Sequence, residues 1–112
     1  MKYEEPNFVV SFPEDHILHI EIARERKLNA FDDALWQSMR RLFETASVDP
    51  DVRVVVLSAR GERAFSAGLD LQASSLVSTM TTDEMDAARR ATHLRRHILD
   101  FQASITSIAR CE

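Results

Sequence analysis

The segment Glu62-Arg63-Ala64-Phe65-Ser66-Ala67-Gly68-Leu69-Asp70-Leu71 holds the pattern with the most chemical content in the chain. Small side chains at 66–68 let a ligand carbonyl come close to the main chain. A helix opening directly after Gly68 would present N–H groups that have no intrahelical acceptor. If negative charge grows on that carbonyl oxygen during a reaction, those donors form half of an oxyanion hole. The loss of one such donor typically costs about 3–4 kcal/mol of transition-state stabilisation. Leu69 N–H is the best-placed donor, and the chemistry implied is that of an enolate or oxyanion. The same spacing also suits an ordinary strand-to-helix turn in which Gly68 serves only its backbone angle.

Other residues invite chemistry and have plainer readings. Asp70 could act as a general base, but a carboxylate in a first helical turn is stabilised by the helix N-terminus. His93 and His97 have the four-residue spacing of metal ligands on a helix, yet no third ligand accompanies them, so no metal is expected. They read as surface or subunit-contact residues. Arg89, Arg90, Arg95 and Arg96 could meet phosphates, though a solvated or subunit-contacting face explains them as well. Cys111 reads as a passive thiol, and Trp36 and Met39 as core or interface residues.

Composition narrows the choice. The chain has 112 residues, 14 basic against 18 acidic, and a net charge of −4. A weakly acidic chain has no electrostatic footprint for nucleic acid. Two glycines cannot write a dinucleotide fingerprint or a P-loop, and one cysteine excludes a disulfide framework. No run approaches the roughly 20 apolar residues that span a bilayer. The polar first residues contain neither a secretory h-region nor a transit peptide.

The elements that must position the loop follow from periodicity. Residues 8–12 form an edge strand closed by Pro13. Residues 16–22 alternate, with Leu18, Ile20 and Ile22 on one face. Residues 32–48 have helical spacing, with Leu35, Met39, Leu42, Phe43 and Ala46 facing the core and Asp32 and Asp33 at the start. The run of valines at 52–58 suits a strand covered on both faces, as in a parallel sheet. Residues 69–77 can form a short helix. From 83 to 109 the chain reads as one helix of roughly 39 Å, opened by Thr81 and Glu84 at capping-box spacing. Its stripe is Ala91, Leu94, Ile98, Phe101, Ile105 and Ile108, a seam that wants a partner along its whole length. One strongly apolar strand and one long apolar-faced helix are too little sheet to cover each other. The expectation is therefore a fragment: a strand/helix/strand core at 8–58, a loop and short helix at 59–77, and the long helix at 83–109.

Taken together, Arg24-Glu25-Arg26-Lys27-Leu28-Asn29-Ala30-Phe31, the valine strand, and residues 64–71 resemble the enoyl-CoA hydratase/isomerase (crotonase) family over about residues 8–112. Residues 94–112 look most like its dienoyl-CoA isomerase branch. The resemblance implies an α/β fold, the N-terminal part of a crotonase-type ββα spiral with an incomplete sheet plus a long helix. It implies that Leu69 N–H binds the thioester oxygen and that Ala67, Gly68, Leu69, Asp70 and Leu71 line the acyl-CoA site, with the Ala67 carbonyl meeting the adenine. Lys27, Leu28 and Ala30 would lie against the CoA moiety. Glu25 stands where the family usually has proline.

The function so implied is a double-bond isomerase of fatty-acid β-oxidation, acting on a dienoyl-CoA, with enoyl-CoA hydratase or a non-catalytic truncated product as alternatives. No cofactor beyond the CoA of the substrate is expected. The second oxyanion donor and the acid/base carboxylates are expected beyond Glu112, so these residues alone should be inactive. The full-length form is expected as a homotrimer or hexamer, without membrane insertion. Its compartment is expected to be the peroxisome, with the mitochondrion as alternative and the cytoplasm if no signal follows.

Overall fold

The computed structural model describes residues 2–70 and 86–112. Three strands come first in the sheet order β1-β2-β3. β1 (Phe8–Glu14) pairs antiparallel with β2 (Ile17–Ile22), through a turn in which His16 takes a φ of 68°. The pairing shifts register between Ser11 and Glu14. Pro13, which has no N–H to offer a ladder, is tolerated there on an edge strand. β2 pairs in parallel with β3 (Val54–Ala59), Ile17 opposite Val54 and Ile22 opposite Ala59.

The alternation expected in β2 is present: Leu18, Ile20 and Ile22 are fully buried, each at 0% exposure. They pack on α1 (Asp33–Ser47), which buries Leu35, Met39, Leu42, Phe43 and Ala46. Asp32 caps α1, its side chain accepting from Leu35 N–H at 2.8 Å. That capping satisfies one of the donors a helix start leaves over. The N-terminal segment closes the other end of the core. Tyr3 is buried among these residues, its hydroxyl on Asp49, while Lys2 pairs with the same carboxylate at 2.8 Å. Glu5 is held by Arg41.

At the sheet one expectation is corrected. β3 is not covered on both faces: Val54 and Val56 are 52% and 45% exposed, because only the Val55, Leu57 and Ala59 face meets the core. The long helix, α2 (Ala87–Ala109), opens behind Asp86, which caps it through Arg89 N–H, and residues 83–85 of the expected helix lie outside the described residues. The Thr81/Glu84 pair lies outside the described residues, as do residues 71–77 of the short helix.

The seam of α2 is also rolled from its expected stripe. Phe101, Ser104 and Ser107 are buried, while Ile98 and Ile105 are 40% and 47% exposed. Polar anchors and small residues decide this. Asp100 takes Gln37 and Arg40 of α1, and His97 approaches Asp33 at 3.5 Å. The serines allow the two helices to approach closely, so the isoleucines end up on the flank.

Ile20→Ala removes side-chain volume from a site with no exposure and should cost about 2–5 kcal/mol in urea unfolding. The N-terminal clamp is pH-dependent. Lys2, then the Tyr3 hydroxyl, then Asp51 N–H hold the Asp49 carboxyl down to about 2 from 3.8. A group whose pKa is depressed by folding contributes stability above its unfolded value and loses it as pH falls through the folded one. The stability gap between wild type and Asp49→Asn should therefore be complete above about pH 5 and close between about pH 4 and 2.

Candidate active site

β2 and β3 run in parallel, so the segments that follow Ile22 and Ala59 leave the sheet at the same end. In open α/β sheets that carboxyl end is where ligands bind. Arg60 N–H donates to Ile22 C=O at 2.8 Å, and from there the two loops stay in contact. The first contains a short 3₁₀ turn, Glu25–Lys27, followed by Leu28 and Asn29 with φ of 53° and 56°. Two successive left-handed residues are costly unless something fixes them.

Asn29 supplies the fixation. It is 1% exposed. Its Oδ1 accepts from Arg24 N–H at 2.9 Å, and its Nδ2 donates to the carbonyls of Arg60 and Ala64 at 2.8 and 3.3 Å. A second tie joins the loops: Arg24 and Asp70 form an ion pair at 2.9 Å, both largely buried, and Arg24 also donates to Ala30 C=O. Asp32 approaches the same guanidinium at 3.4 Å.

These ties set the main chain at 67–70. Ala67 N–H donates to Leu28 C=O at 3.0 Å, Phe31 N–H to Gly68 C=O at 2.7 Å, and Asp70 N–H to Phe31 C=O at 2.8 Å. Phe31 and Leu69 thus form an isolated parallel bridge. In a trans peptide the C=O and the following N–H point in opposite directions. With the Gly68 carbonyl pinned on Phe31, Leu69 N–H points away from Phe31. Among the described residues no acceptor lies on it. Gly68 has a φ of +92° and open space where a Cβ would sit, so the glycine is required by its backbone angle and not by crowding.

The mechanism that leaves the Leu69 donor over differs from the expected one. Leu69 and Asp70 are extended and bridged to Phe31, not the first turn of a helix. Asp70 pairs with Arg24. Of the other expected site residues, Lys27 is exposed on the 3₁₀ turn, Leu28 and Leu69 are half-buried, and Ala67 and Gly68 are exposed. Ala30 is buried, with its carbonyl engaged by Arg24, and Leu71 lies outside the described residues.

A cleft of about 260 Å³ opens beside the loop, lined among others by Glu25, Leu28, Asn29, Arg60 and Arg63, with Leu69 outside it. Arg24, Asn29 and Ser66 are the structural residues that spacing alone did not single out. The available signal was Asn29 itself, since asparagine tolerates positive φ better than most residues.

Elsewhere the tempting groups are accounted for. His97 rests edge-on against Phe101, with ring centroids 4.7 Å apart, and His93 is exposed. Among the described residues no three His, Cys, Asp or Glu side chains are grouped to hold a metal, and no helix is long and apolar enough to cross a membrane. Burial pushes the Cys111 thiol up from its ordinary range, which lowers its reactivity. Trp36 lies between Phe31 and Phe101, at 4.5 and 5.2 Å, and so ties the bridge segment to α2.

With this geometry in place, the sequence matches the enoyl-CoA hydratase/isomerase family over residues 13–109, and the chain belongs to that family. It is 38% identical over 104 residues to the mitochondrial Delta(3,5)-Delta(2,4)-dienoyl-CoA isomerase of Mus musculus, covering 91% of this chain and 31% of that protein. It is 34% identical over 95 residues to the peroxisomal enzyme of the same name from Arabidopsis thaliana, covering 85% of this chain and 34% of that protein. The chain therefore spans about a third of the length of these relatives. An enoyl-CoA hydratase/isomerase structure from Mycobacterium paratuberculosis superposes with a TM-score of 0.72 at 27% identity, over 97% of this chain and 39% of that one. An enoyl-CoA hydratase from Bacillus anthracis shares the fold at the same TM-score of 0.72, with 23% identity over 94% of this chain and 36% of that one.

Breaking the buried ion pair should leave Arg24 only the more distant Asp32, at 3.4 Å, to offset its charge. Asp70→Asn is expected to lower stability by about 3–5 kcal/mol in denaturant unfolding. Arg24→Met with Asp70→Leu should recover much of that loss.

Proposed function

We propose that the protein is an acyl-CoA double-bond isomerase of the dienoyl-CoA type, and that Leu69 N–H holds the thioester oxygen. The single observation that carries this reading is the orientation of the Gly68–Leu69 peptide, whose N–H is left without an acceptor among the described residues. The dienoyl-CoA isomerase names of the relatives supply the substrate class.

In the proposed reaction a base removes a proton from the carbon next to the thioester carbonyl of a 3,5-dienoyl-CoA. The electron pair spreads through the diene onto the carbonyl oxygen, where Leu69 N–H meets the growing charge. A proton then returns at the far end of the conjugated system, giving the 2,4-dienoyl-CoA. Protons and electrons balance, so no oxidant is consumed and no cofactor beyond the CoA of the substrate is called for. The second oxyanion donor and the acid/base pair are proposed to come from outside these 112 residues, since the relatives are about three times as long. Ala67, Gly68, Asp70 and Leu71, with Lys27, Leu28 and Ala30, make up the proposed acyl-CoA contact region. Asp70 and Ala30 act there through the main chain they hold in place. The mitochondrial and peroxisomal relatives bracket the proposed compartment, and a homotrimer or hexamer is the proposed assembly.

In the protein as its gene encodes it, Leu69→Pro removes the donor without breaking any hydrogen bond seen among the described residues. It should lower kcat/KM for a 3,5-dienoyl-CoA by about 100- to 1,000-fold, followed by the absorbance of the conjugated product. Circular dichroism in parallel separates this loss from unfolding. A folded Leu69→Pro protein that keeps its turnover, or a wild type that converts no dienoyl thioester, overturns the assignment. Hydration of a 2-enoyl-CoA in its place would move it to the hydratases.

A further inference from the structure

Pinning the Gly68 carbonyl sets the direction of Leu69 N–H only while Gly68 itself keeps one backbone conformation. Glycine is the residue least able to do this unaided, because it has the widest choice of φ and the most entropy to lose. One side chain restrains it. Ser66 Oγ accepts from Gly68 N–H at 3.1 Å and donates to the Asn29 carbonyl at 2.9 Å. Asn29 is itself immobilised by its bonds to Arg24, Arg60 and Ala64. The hydroxyl is thus used in both directions, and it connects the one glycine of the loop that faces Phe31 to the most firmly held residue of the neighbouring loop.

We infer that Ser66 is a positioning residue for the oxyanion donor: its hydroxyl, seated on the Asn29 carbonyl, fixes the Gly68 N–H and through it the aim of Leu69 N–H. This rests on the reading of Leu69 given above. In this role Ser66 acts on the Gly68 main chain, not on the substrate. Its effect reaches the thioester only through the angle of one peptide plane, so it should alter the quality of the hydrogen bond to the carbonyl more than the affinity for the acyl-CoA.

Infrared difference spectra of octanoyl-CoA labelled with ¹³C at the carbonyl test this, because the carbonyl stretch falls in frequency as the oxygen accepts a hydrogen bond. Wild type and Ser66→Thr, which keeps a hydroxyl, should bind the probe with a sharp, lowered stretch. Ser66→Ala should lose more than half of that lowering and broaden the band, with its dissociation constant within about tenfold of wild type. Ser66→Cys, a weaker donor and acceptor, should fall between them and provides the comparison if the alanine variant does not fold. A merely structural role would lower the melting temperature and leave the band in place. A full shift retained in folded Ser66→Ala or Ser66→Cys overturns the inference alone. Wild type that fails to bind the probe, or binds it without a shift, overturns the reading of Leu69 and this inference with it.

Discussion

The hydrogen bond from Phe31 N–H to the Gly68 carbonyl is the contact on which the site depends. A peptide plane is rigid, so one bond to its oxygen fixes the direction of the N–H on its far side. The rest of the loop architecture can be ranked by its distance from that bond. Asp70 N–H on the Phe31 carbonyl completes the bridge, the Arg24–Asp70 pair holds the bridge laterally, and Asn29 holds the segment from which Phe31 emerges. Phe31 also packs through Trp36 to Phe101, so α2 is tied to the site.

The core makes these contacts possible without taking part in them. Parallel pairing of β2 with β3 brings two loops distant in sequence to one end of the sheet, and the α1 cap at Asp32 begins directly after Phe31. Two of the cations at this end are engaged by structure: Arg24 faces Asp70 and Asp32, and Arg60 faces Glu21, while Glu25, Lys27 and Arg63 are exposed.

Much of this was legible from residue pattern, and the failures have identifiable causes. The period-two run of β2 and the capped apolar face of α1 are local signals backed by burial, so pattern and structure agree. The two-sided burial expected of β3 did not appear, since only its Val55, Leu57 and Ala59 face meets the core. The stripe of α2 misled because periodicity counts apolar residues and is blind to Ser104, Ser107 and the Asp100 anchor, which set the roll of the helix. At the site, the sequence motif drew attention to residues 66–71, yet the backbone there is set by a long-range bridge between Phe31 and Leu69. Such a contact joins residues 38 positions apart and leaves no trace in local spacing.

The outer margin of β3 carries a consequence of a different kind. Among the described residues the strand has one neighbour, and its far side presents ladder groups flanked by exposed valines. Such a margin is a template for edge-to-edge aggregation. Arg53, exposed at the start of the valine run, is placed as a gatekeeper whose charge disfavours stacking of copies. Replacing Arg53 with a neutral residue would remove that protection.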